Sequence, residues 1–220
     1  MTAAGLGLSF FLGCGAGWWV PALGRWALKG IPLNERIDRF RGVPLPRWGW
    51  CVGLGISWVL TGWETGSIGE LLLGWSLTLF LAVAVWTDLG TGLIPNRWVV
   101  MGALFFFLGR AIISWDEFPI YLYGAASAAV LLGLVAWLTG GMGGGDVKLA
   151  GAAGLVLGIG PVLTGIALAI CIGGVWSSWL LLSRGIRLKT AIPFGPHLAA
   201  GFLVSFVWGE ELLRWYLSFL

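Results

Sequence analysis

Apolar positions in this chain do not alternate with polar ones. They run on in long blocks that stop at short polar breaks. A helix needs roughly 20 mostly apolar residues to cross the hydrocarbon core of a bilayer. Blocks of about that size lie near Leu6–Trp26, Trp48–Trp63, Ile68–Trp86, Trp98–Ser114, Ile120–Thr139, Val162–Ser183 and Pro196–Trp215. A further block, Val147–Leu157, is too short to cross alone. The stretch "GIGP", Gly158 to Pro161, follows it as a turn signal. The pattern predicts Val147–Ser183 as a helical hairpin whose short arm begins inside the membrane. The fold class it predicts is all-α: a polytopic membrane protein of about eight transmembrane helices. Nothing resembling a polar linker divides residues 1–220, so a single membrane domain is expected.

Composition agrees with this pattern. Of 220 residues, 58% are hydrophobic and 10% charged, where a soluble domain carries about 25% charged residues. Sixteen Trp and twelve Phe supply candidates for the interfacial belts. No cleavage site of small residues follows the first apolar block, which therefore reads as a membrane helix and not as a removed signal. Cys14, Cys51 and Cys171 are far apart and form no CxxC pair. They read as buried structural thiols, not as a zinc site or disulfide framework.

Charge placement orients the blocks. With the break after the first block on the cytoplasmic side, Arg25, Lys29, Arg36, Arg39, Arg41, Arg47, Arg97, Lys148, Arg184, Arg187 and Lys189 lie inside. Only Arg110 and Arg214 lie outside, so eleven of thirteen basic residues share one face. That is the asymmetry of the positive-inside rule. It puts both chain ends outside. The net charge is only +3, and its basic residues sit at block ends, where topology and anionic lipid headgroups account for them. Nucleic acid is not an expected partner.

The same orientation puts two acids together. Asp88 ends an apolar block in "LAVAVWTDLGTGLIPNRW", and Asp146 opens one after "TGGMGGG". Ionisable groups at such depth are costly and default to functional hypotheses. The competing reading is two helix-end carboxylates at the headgroups, with Asp146 as N-cap of a helix starting at Val147. Glu64, Glu70, Asp116 and Glu117 read as solvated charges in external loops. Glu210 and Arg214 are four apart and could pair on a helix face. Pro95 reads as a helix starter, with Asn96 and Arg97 at the interface. The glycines before Asp146 lack side chains that would obstruct another backbone, so an extended peptide could lie along them. Two carboxylates sharing one water do not easily ionise together. One can stay protonated while the other takes a proton from the water that attacks an amide. Such a site needs neither a metal nor a covalent intermediate.

Three stretches, "DLGTGLIPNRW", "GMGGGDVKLAGAAGLVLG" and "IPFGPHLAAGFL", resemble in order and separation the type IV prepilin peptidases, the GxGD-type intramembrane aspartyl proteases of bacteria. The resemblance runs from about Ile68 to Val204. It implies that Asp88 and Asp146 are the catalytic pair, and that Gly143, Gly144, Gly145, Lys148, Pro95 and Asn96 lie where substrate binds. It implies a site at the cytoplasmic face of the inner membrane that removes a short basic leader from prepilins or pseudopilins, after a glycine. Cleavage would need no cofactor. Most members carry a cytoplasmic insert with two CxxC pairs after the first span, associated with N-methylation from S-adenosylmethionine. Here that loop is only about Lys29 to Arg47 and holds no cysteine, so methyl transfer is not carried over. His197, the only histidine, stands after "IPFGP" where a hydrophobic residue is expected. It reads as a lone interfacial histidine, with a proton relay as the sharper possibility. Related peptidases acting on archaellin-like or lantibiotic-type leaders are a nearby alternative. A proton-coupled transporter or a membrane scaffold with two interfacial acids is the alternative from another class.

Overall fold

The computed structural model describes residues 2–31, 46–64, 66–184 and 193–219. Most of the loop from Lys29 to Arg47, with Glu35, Arg36, Asp38, Arg39 and Arg41, lies outside the described residues. Arg187, Lys189 and Ile192 do as well. The described residues form eight helices: α1 Ala3–Leu28, α2 Arg47–Glu64, α3 Ile68–Thr91, α4 Asn96–Ile113, α5 Phe118–Thr139, α6 Gly144–Leu157, α7 Ile159–Arg184 and α8 Gly195–Leu217. Each apolar block became one helix, and the block ends fall within a few residues of the helix ends.

Five helices are long and apolar enough to cross a membrane: α1, α3, α4, α5 and α7. Helices α2 and α8 are diluted by polar positions, among them Glu210, Glu211 and Arg214 in α8. Helix α6 has 14 residues, about 21 Å of rise, against the ~30 Å of a bilayer core. Many side chains that face away from the protein are large and apolar. Phe11, Trp19, Phe105, Val130 and Leu182 are all exposed, which a bilayer accommodates and water does not. The chain is a polytopic, all-α membrane protein.

Two clusters of buried side chains hold the bundle. The larger is built from α3 to α8 around Leu77, Phe80, Phe106, Leu149, Ile166 and Phe202. The smaller, Val20, Trp50, Leu54 and Val83, joins α1 and α2 to α3. Lipid tails are as apolar as leucine, so close backbone approach drives such packing. A Cβ on Gly154 of α6 would lie 2.7 Å from the Ala125 backbone of α5, and one on Gly201 of α8 would meet Gly165 of α7. These contacts fix the short helix α6 against α5 and pair α7 with α8.

Several details correct the expectations from sequence. The N-cap of α6 is Gly143, and Asp146 stands inside the first turn. The glycine stretch is only partly extended, since Gly144 and Gly145 are already helical. Pro95 is the N-cap of α4, one position before the helix proper. None of the three cysteines is fully buried: Cys14 and Cys51 are half-buried and Cys171 is exposed. Lipid can cover a thiol as well as protein can, so apolar surroundings in sequence did not mean an interior position. Glu70 is no free loop charge; it pairs with Arg110, whose side chain is 3% exposed. Arg214 reaches the backbone carbonyl of Glu210 and not its carboxylate.

Candidate active site

The site is assembled where five helix ends meet. Helix α3 ends with Gly92 in the left-handed region at φ 65°, its N–H bonded to the Asp88 carbonyl at 2.7 Å. Glycine adopts that conformation without a Cβ penalty. The chain then runs through Leu93 and Ile94 to Pro95, which opens α4. Asp88 therefore sits in the last turn of α3, buried, just below a sharp reversal. On the other side α5 ends at Gly140, again left-handed at φ 60°. The glycines that follow bring the chain into α6, where Asp146 is buried in the first turn.

Both carboxylates border two cavities. One, of about 450 Å³, is lined by Ile31, Asp88, Gly92 to Asn96, Gly143 to Asp146, and Lys148. The other, of about 460 Å³, shares Asp88, Gly92, Gly143 and Asp146 and continues past Val135, Met142 and Phe194. The pair thus stands between two grooves of similar, largely apolar lining. All eight residues singled out from sequence, Asp88, Pro95, Asn96, Gly143, Gly144, Gly145, Asp146 and Lys148, line the first cavity.

Each side chain has a physical setting. Asp88 Oδ2 accepts the backbone N–H of Gly195 at 2.9 Å. Gly195 opens α8, and the first N–H groups of a helix have no acceptor of their own within it. A Cβ at Gly195 would fall 2.6 Å from that same oxygen, so only glycine lets this helix end approach the acid. Asp146 Oδ1 is buried and accepts no hydrogen bond from the described residues. This buried carboxyl oxygen without a protein donor borders the two cavities that Asp88 also lines. Lys148 Nζ donates to Asn96 Oδ1 at 3.0 Å and so ties α6 to α4 across the mouth of the first cavity. Gly145 presses on Ile94, where a Cβ would stand 3.1 Å from the Ile94 Cβ. Gly144 faces open space. The N–H groups of Gly144 and Gly145, in the first turn of α6, have no intrahelical acceptor and are available to a carbonyl lying along the groove.

His197 lines neither cavity. It stacks on Phe194 with ring centroids 6.1 Å apart. Among the described residues, no group of three or more His, Cys, Asp or Glu is placed to hold a metal ion. The contribution that sequence reasoning missed is Gly195. It lies inside the quoted "IPFGP", and a glycine before a proline at a helix start was the available signal. Its partner is 107 positions away along the chain, which no local pattern reports.

Comparison with known proteins places the chain's sequence among peptidases. The model of the type IV leader peptidase family matches residues 75–178, which include both acids. The chain is 32% identical to a prepilin leader peptidase/N-methyltransferase of Bacillus subtilis over 143 residues, 64% of this chain and 57% of the relative. It is 33% identical to one from Aeromonas hydrophila over 198 residues, 85% of this chain and 61% of that one. A third, from Aeromonas salmonicida, is 33% identical over 179 residues, 79% and 54%. The chain thus spans little more than half the length of these curated relatives. No solved structure matches it.

Proposed function

The chain belongs to the type IV leader peptidase family, and from that premise we propose that it is an intramembrane aspartyl endopeptidase removing the leader from prepilins or pseudopilins. The observation that carries the proposal is the meeting of Asp88 and Asp146, one from the end of α3 and one from the start of α6, on the same two cavities. In this reading the ionised member takes a proton from water, and the protonated member gives one to the carbonyl oxygen of the scissile amide. The water oxygen bonds to the carbonyl carbon. The tetrahedral diol then collapses, the C–N bond breaks, and the proton passes to the leaving amine. The free N–H groups of Gly144 and Gly145 and the Lys148–Asn96 bridge hold the substrate backbone extended along the first cavity, beside Pro95. The basic excess of the breaks supports a site at the cytoplasmic face of a bacterial inner membrane. Membrane lipids are the other partners, and no cofactor enters the cleavage. The observations do not favour a proton-coupled transporter or inert scaffold.

Methyl transfer is not part of the proposed activity. The relatives' names include it, but a zinc-held lobe needs about four Cys or His ligands at close spacing, and residues 29–47 offer none. The test is mass spectrometry of a prepilin-like substrate incubated with the purified chain in liposomes and S-adenosylmethionine. The expected products are the leader peptide and a shortened chain with an unmodified N-terminus. Intact substrate would overturn the peptidase reading. A methylated product would mean a second activity within the membrane core.

The shared proton also sets a pH dependence. Cleavage in this reading needs one carboxyl protonated and the other ionised. As pH falls, both become protonated and the general base is lost. As pH rises, both ionise and the general acid is lost. The cleavage rate measured in liposomes should therefore pass through a maximum, with the two limbs belonging to the pair and not to either residue alone. A rate that stays flat from about pH 4 to about pH 10, across and well beyond the ordinary carboxylate range, would contradict a shared proton.

A further inference from the structure

The buried cation at the opposite end of the bundle has no part in the chemistry just described. Arg110 lies on α4 with its side chain 3% exposed. A charge at such depth is retained only where partners hold it, and Arg110 has them on three other helices. One Nη donates to the Glu70 carboxylate in the first turn of α3. The other donates to the backbone carbonyl of Val156 at 2.5 Å, in the last turn of α6. The guanidinium also lies 3.8 Å over the ring of Tyr121 on α5.

The two hydrogen-bonded helices are those that carry the acids. Glu70 and Asp88 are at opposite ends of α3, about 27 Å apart along the axis. Val156 and Asp146 are at opposite ends of α6, about 15 Å apart. The last carbonyls of α6 have no donor within the helix, and Arg110 supplies one to Val156. The negative end of the α6 dipole favours a cation there. Helix α6 packs chiefly on α5 and only lightly on α3. Its axial position relative to α3 therefore needs a tie from elsewhere.

We propose that Arg110, held by Glu70, is a positioning residue that caps the C-terminus of α6 and sets how far its N-terminus, with Asp146, stands from Asp88. The inference rests on the dyad reading above. It assigns a part in catalysis to a side chain at the end of the bundle away from the site.

The test compares Arg110→Met, Arg110→Lys and Glu70→Gln with the unaltered chain in liposomes, at temperatures where each is folded by its melting curve. The first readout is cleavage of a prepilin-like peptide. Arg110→Met should lower kcat about 10- to 100-fold, the range expected for a misplaced catalytic group, and leave KM within about threefold. Arg110→Lys, which keeps the charge but not the forked contact, should fall between. The second readout needs no activity. Cysteines replace Gly90 and Gly144, where an added Cβ meets nothing within 4 Å, in a chain freed of Cys14, Cys51 and Cys171. Thiol cross-linkers of graded length then measure the gap between the two acid-bearing ends, and Arg110→Met should change the length that bridges best. Folded variants with unaltered kcat and unaltered cross-linking overturn the proposal, as does loss of folded protein alone with normal kcat in what remains. Should Arg110→Met fail to fold, Arg110→Lys and Glu70→Gln carry both readouts. Failure of the unaltered chain to cleave defeats the peptidase reading instead, and the cross-linking still decides the role of Arg110.

Discussion

Asp88→Asn and Asp146→Asn are each expected to lower leader cleavage by about 10²–10⁴-fold, the range that general acid–base catalysis contributes, with the protein still folded and inserted. Asparagine is nearly isosteric with aspartate, and both sites are buried among helix ends held by other contacts. In the Asp88→Asn variant the side-chain amide oxygen can still accept the Gly195 N–H, so the contact that docks α8 survives. What is lost is the ability to exchange one proton between two carboxyls. Because the pair acts as a unit, the double variant should be no slower than the worse of the singles. The measurement is initial cleavage rate in liposomes at equal folded protein. Either single variant retaining a rate within about tenfold of the original would remove the aspartyl mechanism, since one carboxyl cannot act as general acid and general base in the same step.

Gly195→Ala carries the second large effect, from a single methyl group. Its Cβ would stand 2.6 Å from Asp88 Oδ2 and 3.2 Å from Asp88 Cγ. The carboxylate must swing away, or the start of α8 must retreat and give up the hydrogen bond. A shift of about an ångström at a reacting group costs on the order of 100-fold in rate, and that is the expected loss of cleavage. Stability should change far less, because one contact at a helix end is altered while the Phe202 and Leu198 packing of α8 remains. The comparison is Gly174→Ala in α7, where an added Cβ meets nothing within 4 Å and activity should be unaltered. Gly195→Ala with normal cleavage would mean that Asp88 does not depend on this helix end. Equal losses of activity and folded protein would mean that Gly195 serves packing.

Much of the molecule was legible because membrane proteins state their helices plainly. A block of apolar residues can satisfy its backbone in lipid only as a helix, so block limits became helix limits. The shortness of α6 was legible for the same reason. It was given by Gly143 to Asp146 at one end and "GIGP" at the other. Asp88 and Asp146 stood out because carboxylates are scarce at the edges of such blocks, and the count of blocks between them brought them to one end of the bundle. Glu70 was misread, and its pairing with Arg110 missed, for the opposite reason. Each lies near a block end where a solvated charge is common, and 40 positions separate them.

The sequence by itself determined which segments are helical, which helix is short, and which two acids share one end of the bundle. Those properties follow from local composition and from the cost of exposing peptide groups or charges to hydrocarbon. Only the tertiary structure decided that α8 brings Gly195 onto Asp88, that Gly145 rests on Ile94 at the floor of the groove, and that Arg110 joins the far ends of α3 and α6. These depend on how helices turn about their axes and slide past one another. Glycine contacts of a few ångströms set that, and residues far apart in the chain supply them.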